Sequence, residues 1–413
     1  MRKKTVWARL LGVEQTVIER VEVEEEGAVV AAVRPRRGER NRCGQCGKRC
    51  RRYDQGAGRR RWRTLDLGAT QAYLEAGAPR VECPEHGVIV ARVPWARHEA
   101  RHTRAFDDQA AWLATHCAKS AVAELLRVAW RSVGSIVTRV VADARAHSDP
   151  FEGLARIGID EISYRRGQKY LIVVVDHDSK RLVWAAAGRD RKTLRTFFDA
   201  LGAERCKLIT LVSADAAEWI ADVVAERCPG ATLCTDPFHV VQWATDALDE
   251  VRRDTWNRAR RSGQQAVARE LKGARFALWK NPEDLTQRQQ AKLASIATTN
   301  QRLYRAYLLK EQLREVFHLP TEEALALLEQ WLRWARRCRI PAFVALAKSV
   351  AAHRAGIAAA LTHHLSNALV ESTNTKIRLL TRVAFGFHSP DALIALALLS
   401  LGRYCPPLPG RSS

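Results

Sequence analysis

Three acidic residues stand where a metal-dependent attack on a phosphodiester would need them. Asp160 lies inside the apolar run Ile157-Gly158-Ile159-Asp160, Asp215 directly follows Val212-Ser213-Ala214, and Glu371 sits in Ser366-Asn367-Ala368-Leu369-Val370-Glu371. Two-metal cleavage requires carboxylate oxygens converging on ions about 4 Å apart. Hard ions such as Mg2+ or Mn2+ favour carboxylates that leave positions open for water and phosphate. An acid buried in an apolar strand is costly without a partner, so Asp160 is expected to face a metal ion or a hydrogen-bond donor. Read as a helix, the segment around Glu371 places Asn367, Glu371, Asn374 and Arg378 on one face. Leu369, Thr373, Ile377 and Leu380 turn elsewhere. Glu371 is thus set among polar and basic neighbours, Lys376 and Arg378 included, that can hold a phosphate backbone.

A second constellation is Asp236-Pro237-Phe238-His239, which puts an acid and an imidazole one turn apart after a strand. It can bind metal, orient a phosphate or brace the sheet. Asp236 competes with Asp215 for the second acidic place; strand order favours Asp215, which ends a fourth strand while Asp236 ends a fifth. Glu161 is expected on the opposite sheet face from Asp160. Asp176 and Asp178 fit a hairpin turn, and Asp190 fits a helix cap.

The elements that must position these groups follow from periodicity. The runs 157–160, 170–176 and 182–186 read as an antiparallel meander, followed by a helix (192–201), a strand (208–212), a helix (216–228) and a strand (231–234). That order is the order of an RNase-H-like α/β fold, in which the acids belong on the first strand, at the end of the fourth and on a late helix. Residues 240–365 show only helical pattern and are strongly basic; they read as a helical insertion whose Trp243, Trp256, Trp279, Trp331 and Trp334 serve its core rather than base stacking. A final apolar helix starts at Ser389 and Pro390.

Upstream, residues 14–35 alternate as a β-hairpin. Cys43-Gly44-Gln45-Cys46 and Cys83-Pro84-Glu85-His86 then form two chelating turns suited to a closed tetrahedral Zn2+ site, with two strands (61–67 and 71–76) between them and Cys50 as a spare ligand. Residues 104–147 read as three helices and a helix-turn-helix, with Arg131, Ser132, Ser135 and Arg139 able to face a major groove. The predicted organisation is a multidomain α/β chain: a zinc-ribbon-like β module (1–100), a helix-turn-helix (101–150), an RNase-H-like domain in two parts (151–243 and 356–405) around an all-helical insertion (244–355), and a disordered tail (406–413).

Composition bounds the partners. Lys and Arg number 67 against 45 Asp and Glu in 413 residues, a formal +22, which favours a polyanion because bound phosphates release counterions. The start, MRKKTVWARLLGVEQ, is interrupted by Arg9 and Glu14 and does not read as a signal peptide. The longest apolar stretch, 392–401, is about half of a bilayer span. A cytoplasmic, nucleoid-associated protein is expected, whose ten cysteines are no disulfide framework.

IGIDE, VSAD, TDPFHVV, SNALVESTN and RVAFGFHS together resemble the ISL-three family of bacterial insertion-sequence transposases, and the paired knuckles and helix-turn-helix resemble its DNA-binding front end. The resemblance runs over nearly the whole chain. It implies cleavage at the ends of a mobile element and joining of the 3′-OH ends to target DNA, with Asp160, Asp215 and Glu371 in the DDE places. It also implies Asp236 and His239 as an auxiliary acid–His motif, with Asn367 and Asn374 near the site. Two Mg2+ (or Mn2+) and one structural Zn2+ on Cys43, Cys46, Cys83 and His86 are the implied metals. Arg61, Arg63 and the helix-turn-helix are expected to read inverted-repeat DNA, and a homodimer is expected to pair two ends. His86 stands where a Cys is more usual, and Ala368 where Gly is frequent. The alternatives on the same fold are a silenced or domesticated transposase that only binds DNA, and an RNase-H-like nuclease. A zinc hydrolase is disfavoured because a closed four-ligand site leaves no place for water.

Overall fold

The first strands arise where β-branched residues alternate with charge. In the computed structural model, which describes residues 3–165, 167–387 and 389–411, the chain divides into two units, Met1–Pro150 with Lys376–Ser413 and Phe151–Thr375. In the first unit, helix α1 (Lys3–Leu10), which the sequence reading had not anticipated, precedes β1 (Thr16–Val23) and β2 (Val29–Pro35), the expected hairpin. Strands β3 (Arg51–Asp54), β4 (Arg59–Leu67), β5 (Thr70–Gly77), β6 (Arg80–Cys83) and β7 (Gly87–Val90) follow. They form a four-stranded sheet, β1-β2-β5-β4, and a three-stranded one, β3-β6-β7. Ile18, Val33, Trp62, Leu74 and Trp95 fill the core of the larger sheet, with the Trp62 and Trp95 rings edge to face at 5.5 Å.

The three expected helices are α2 (Arg104–His116), α3 (Lys119–Leu126) and α4 (Trp130–His147). Thr103 caps α2 through the Phe106 N–H at 3.3 Å. Charge also ties this bundle together: buried Asp107 accepts two 3.0 Å bonds from Arg139.

The second unit is built on a five-stranded sheet. Strands β8 (Arg156–Arg165), β9 (Lys169–Asp176) and β10 (Arg181–Ala187) form the antiparallel meander. Then come α5 (Arg191–Leu201), α6 (Ala203–Cys206), β11 (Leu211–Ala214), α7 (Glu218–Arg227) and β12 (Thr232–Thr235). The sheet order is β10-β9-β8-β11-β12, with β8, β11 and β12 parallel, the RNase-H-like arrangement expected from element order. Ile157, Ile159, Val174, Phe197, Val212 and Val223 pack one face. Asp176 and Asp190 prove structural: Asp176 accepts the Asp178 N–H at 3.0 Å in the turn, and Asp190 caps α5 through the Thr193 N–H at 2.7 Å.

The insertion contains α8 (Pro237–Arg261), α9 (Gln265–Lys272), α10 (Arg275–Trp279), α11 (Gln287–Thr299), α12 (Gln301–Glu315), α13 (Thr321–Arg337), α14 (Pro341–Ala352) and α15 (Arg354–His363). Helix α8 runs unbroken through residue 243, so sheet and insertion share one continuous element. Trp331 is fully buried, its indole N–H bonded to Leu309 O at 2.8 Å, and Trp243, Trp256, Trp279 and Trp334 pack against the same core. These are core tryptophans, as expected. Among the described residues no single helix is long and apolar enough to cross a membrane.

Helix α16 (Ala368–Val383) then crosses β8, and α17 (Pro390–Leu401) follows. Ser389 caps α17 through the Asp391 N–H at 3.1 Å. By its packing α17 groups with the first unit, against α4 and α2. Its buried residues, Leu393, Ala395, Leu396, Ala397, Leu398 and Leu399, span more than one stripe, and an all-round apolar helix needs cover on several sides. Residues 406–411 carry no regular element; the last two residues of the tail lie outside the described ones.

The approach of α16 to β8 depends on Gly158. A Cβ there would sit 2.5 Å from Val370 Cγ2 and 2.9 Å from His177 Nε2. Gly158→Ala should therefore force α16 away from the sheet and cost about 1–3 kcal/mol, as overpacking does, seen as a lower denaturation midpoint.

Candidate active site and zinc knuckles

Parallel pairing places the acids at the C-terminal ends of neighbouring strands. Ser213 of β11 pairs with Gly158 of β8, and β11 stops one residue later, so Asp160 and Asp215 both extend beyond the shared ladder. Asp160 Oδ1 accepts the Glu161 N–H at 2.7 Å and Oδ2 accepts the Asn374 side-chain N–H at 2.8 Å. Asn367 donates its amide to Ile159 O at 3.3 Å. The two asparagines thus clamp α16 to β8 on either side of Glu371, which lies between them on the same helix face. Of the expected face, Asn367 and Asn374 turn to the sheet while Arg378 is exposed; Thr373 and Ile377, expected to turn elsewhere, are buried.

Beneath the acids runs a buried polar chain. His177 Nε2 lies 2.8 Å from Ser213 Oγ, which donates to Asn367 Oδ1 at 2.5 Å. The Asn367 backbone N–H reaches Asp236 Oδ1 at 3.2 Å, and Asp236 Oδ2 accepts from His239 Nδ1 at 2.9 Å. Ser213 and Asn367 are fully buried and Asp236 is 2% exposed. Both Asp236 oxygens are occupied by protein donors, whereas Asp215 is half-buried with Oδ1 on the Ala217 N–H at 3.1 Å. That arrangement makes Asp236 the holder of His239 and leaves Asp215 the more available acid. The sequence reading overlooked Ser213 and His177. The available signal was a hydroxyl inside an apolar strand, two residues before Asp215.

The electrostatics are those of crowded carboxylates. Burial, joined by the negative charges of Asp215 and Asp236, pushes Asp160 up to about 6, against the opposing pull of the Glu161 N–H and His239. His239 is raised by its bond to Asp236, with Asp215 and Asp160 adding to the effect. The imidazole therefore lies within the field of all three acids. A site that resists its own ionisation and offers only hard oxygen ligands fits divalent cations.

In the first unit the two knuckles close on each other. Cys43 and Cys46 lie in a turn held by Gly47 N to Cys43 O at 3.0 Å, and Cys83 and His86 bracket the β6–β7 turn. Their ligand atoms lie within 4.8 Å of one another. Cys43 Sγ to His86 Nδ1 is 3.7 Å, Cys46 Sγ to Cys83 Sγ 3.7 Å, and Cys83 Sγ to His86 Nδ1 3.5 Å. Tetrahedral Zn–S and Zn–N bonds imply edges of about 3.8 Å and about 3.6 Å, which these three distances approach, so the four residues are placed to hold a zinc ion. The His86 imidazole holds the Cys83 thiol down to about 6, which favours the thiolate that zinc requires. Cys50 stands outside this set, its Sγ on Lys48 O at 3.3 Å.

The expected DNA-facing residues divide. Arg131 and Ser135 are exposed and Ser132 is half-buried on α4; Lys376 and Arg378 are exposed on α16. Arg63 and Arg139 are already committed within the fold. Arg63 is 7% exposed, paired with Asp66 and 5.7 Å from the Phe106 ring, and Arg139 serves Asp107. The Arg139 side chain nevertheless remains 23% exposed. Arg61 is exposed but bonded to Glu24 at 2.7 Å and Glu75 at 2.8 Å.

Two measurements check these sites. In metal-free protein Asp160 favours its neutral form, so its penalty sets in as pH rises above the unfolded value and is complete above about 6. Asp160→Asn should thus stabilise the metal-free protein at pH 8, by roughly 2–3 kcal/mol at most, and the gain should shrink towards pH 4. The Asn374 amide can turn to pair with the new side chain, because its Oδ1 is buried without a partner. Elemental analysis should find about one zinc per chain, absent from a Cys43→Ser plus Cys83→Ser variant.

Comparison with known proteins agrees with this geometry. A family model described as "Transposase" of the ISL3 (ISL-three) family matches residues 157–397. Models for the "Helix-turn-helix domain of transposase family ISL3" and the "zinc-finger of transposase IS204/IS1001/IS1096/IS1165" match residues 91–141 and 39–86. The chain is 60% identical to the transposase for insertion sequence element IS1557 of Mycobacterium tuberculosis, over 100% of this chain and 98% of the relative. It is 26% identical to the transposase for insertion sequence element IS1001 of Bordetella parapertussis, over 84% and 86% of the two chains. Sheet order, zinc knuckles, helix-turn-helix and these matches lead to one conclusion: the chain belongs to the ISL3 family of insertion-sequence transposases.

Proposed function

We propose that Asp160, Asp215 and Glu371 are the catalytic carboxylates of this transposase and hold two Mg2+ or Mn2+ ions against the DNA phosphodiester at the transposon end. The observation that carries the reading is the double clamp of Asn367 and Asn374 on β8, which brings the Glu371 face of α16 to the strand bearing Asp160. Bound divalent ions supply Lewis acidity at phosphorus and an activated water. The chain's own groups do the positioning. Asn374 fixes the Oδ2 lone pair of Asp160, so its free lone pairs are oriented before any ion arrives. Asp236 orients His239 and favours its protonated form, in which Nε2–H can donate to a non-bridging phosphate oxygen. The same acids would then serve attack of the freed 3′-OH on target DNA.

Recognition of the inverted repeats is assigned to the zinc ribbon and to the exposed face of α4, through Arg131, Ser132 and Ser135. Joining two ends requires two active sites, and a homodimer on DNA is the proposed working form.

Donor-excision and strand-transfer assays with Mg2+ test the reading. Asp160→Ala, Asp215→Ala and Glu371→Ala should each lower excision about a thousandfold or more, several kcal/mol of barrier. Asp236→Asn keeps an acceptor for Asn367 and should lose only about tenfold to a hundredfold, as loss of an orienting partner does. Excision by Asp215→Ala at wild-type rate, with Asp236→Asn inactive, would exchange their roles. Hydrolysis without strand transfer of a precut end would instead indicate a nuclease.

A further inference from the structure

Strand β10 ends in a turn that holds one arginine rigidly beside the acids. Gly188 donates its N–H to Tyr170 O at 3.0 Å with φ +142°, and a Cβ there would lie 2.2 Å from Thr193 Oγ1. Asp190, two residues on, caps α5. Arg189 is fixed between these points. Its guanidinium lies over the Tyr170 ring, 4.8 Å from the centroid, and its Nε pairs with Glu161 Oε2. The Glu161 side chain is 7% exposed and its Oε1 is buried without a hydrogen-bond partner, while the Arg189 side chain is 54% exposed.

The placement explains the pair. Glu161 directly follows Asp160 on β8, past Gly158, where pairing with β11 ends. It shares the sheet face of Ile157 and Ile159, packed by α5 and α7, whereas Asp160 faces α16. Glu161 is the residue after Asp160 on the same strand, opposite Ile172 of β9, so its backbone stands beside the acid cluster. Arg189 therefore stands at the rim of that cluster, on the side away from α16.

An exposed ion pair alone contributes little. A guanidinium stacked on an aromatic ring and tethered at Nε is different, because its terminal amino groups are pre-oriented for bidentate contact with an oxyanion. Carboxylates at the site repel the DNA backbone, so a cation held at their edge answers a specific need. We propose that Arg189 grips a DNA backbone phosphate beside the cleavage position, with Tyr170 and Glu161 holding its guanidinium in place. The proposal rests on the assignment of the three acids as the catalytic centre.

The test uses the full-length protein and the terminal DNA of its own element, with binding measured over a range of salt in the absence of divalent ions. A series of ends each carries one neutral methylphosphonate. Arg189→Ala should bind roughly tenfold more weakly, and the slope of log K against log salt should fall by about one phosphate. At one position near the cleavage point, the methylphosphonate that weakens the wild type should weaken Arg189→Ala no further. Arg189→Lys should restore the salt slope. Arg189→Gln, which keeps the bulk over Tyr170, should reproduce the alanine result if the smaller residue unsettles folding. An unchanged slope, or losses that add at every position, would overturn the proposal. Binding without metal does not depend on the acids, so failure here is distinct from wild-type excision by Asp160→Ala, which would remove the catalytic assignment instead.

Discussion

The second unit is organised around the buried side chain of Asn367. A fully buried amide must satisfy its donors and its acceptor within the protein, and each one left unmet costs about 1–3 kcal/mol. Asn367 does so by reaching three strands: Ile159 O on β8, Ser213 Oγ on β11 and, through its backbone N–H, the carboxylate of Asp236 after β12. Only one axial position and one rotation of α16 meet all three conditions. Glu371, one turn further along, has its place set by the same conditions, and so has Asn374 on Asp160. A buried polar network of this kind is stable when complete and poor when one member is missing.

The acids are held together against their mutual repulsion. The fold brings Asp160, Asp215 and Asp236 to the C-terminal ends of neighbouring strands, with Glu161 next in the chain on the other face, and burial and mutual repulsion raise Asp160 and Glu161. Against that negative field the chain sets His239, tied to Asp236, and Arg189, tied to Glu161. The zinc knuckles solve their own problem differently. There three ligand-atom pairs already lie near the spacing of tetrahedral edges and all four atoms lie within 4.8 Å, so binding of one ion would require only local adjustment of the turns.

Much of this was legible in the residues. The β8–β10 meander, the paired knuckles and the buried tryptophans follow from local periodicity and spacing, which act over a few residues. What escaped the sequence depends on what covers each element. Arg63 lies in the run Arg59-Arg60-Arg61-Trp62-Arg63, which reads as a basic surface, yet Tyr73 and Phe106 both lie near its guanidinium and Asp66 takes its charge. Helix α17 shows its apolar character but not which layer receives it. His177 reads as a hairpin residue, and only the packing of α16 shows that it closes the chain through Ser213.

The insertion carries a consequence for synthesis. The Ser213–Asn367 bond spans 154 residues and the Asp160–Asn374 bond 214, so closing either loop costs about 4–5 kcal/mol of chain entropy. The first unit, too, includes residues from Lys376 onward. On the ribosome, the sheet acids and the DNA-reading elements emerge early, but both units wait for the C-terminal segment to be completed. A chain that stops before α16 carries the crowded carboxylates without the helix that brings Glu371. The assembled cluster of acids is therefore acquired late, once α16 can close on the sheet.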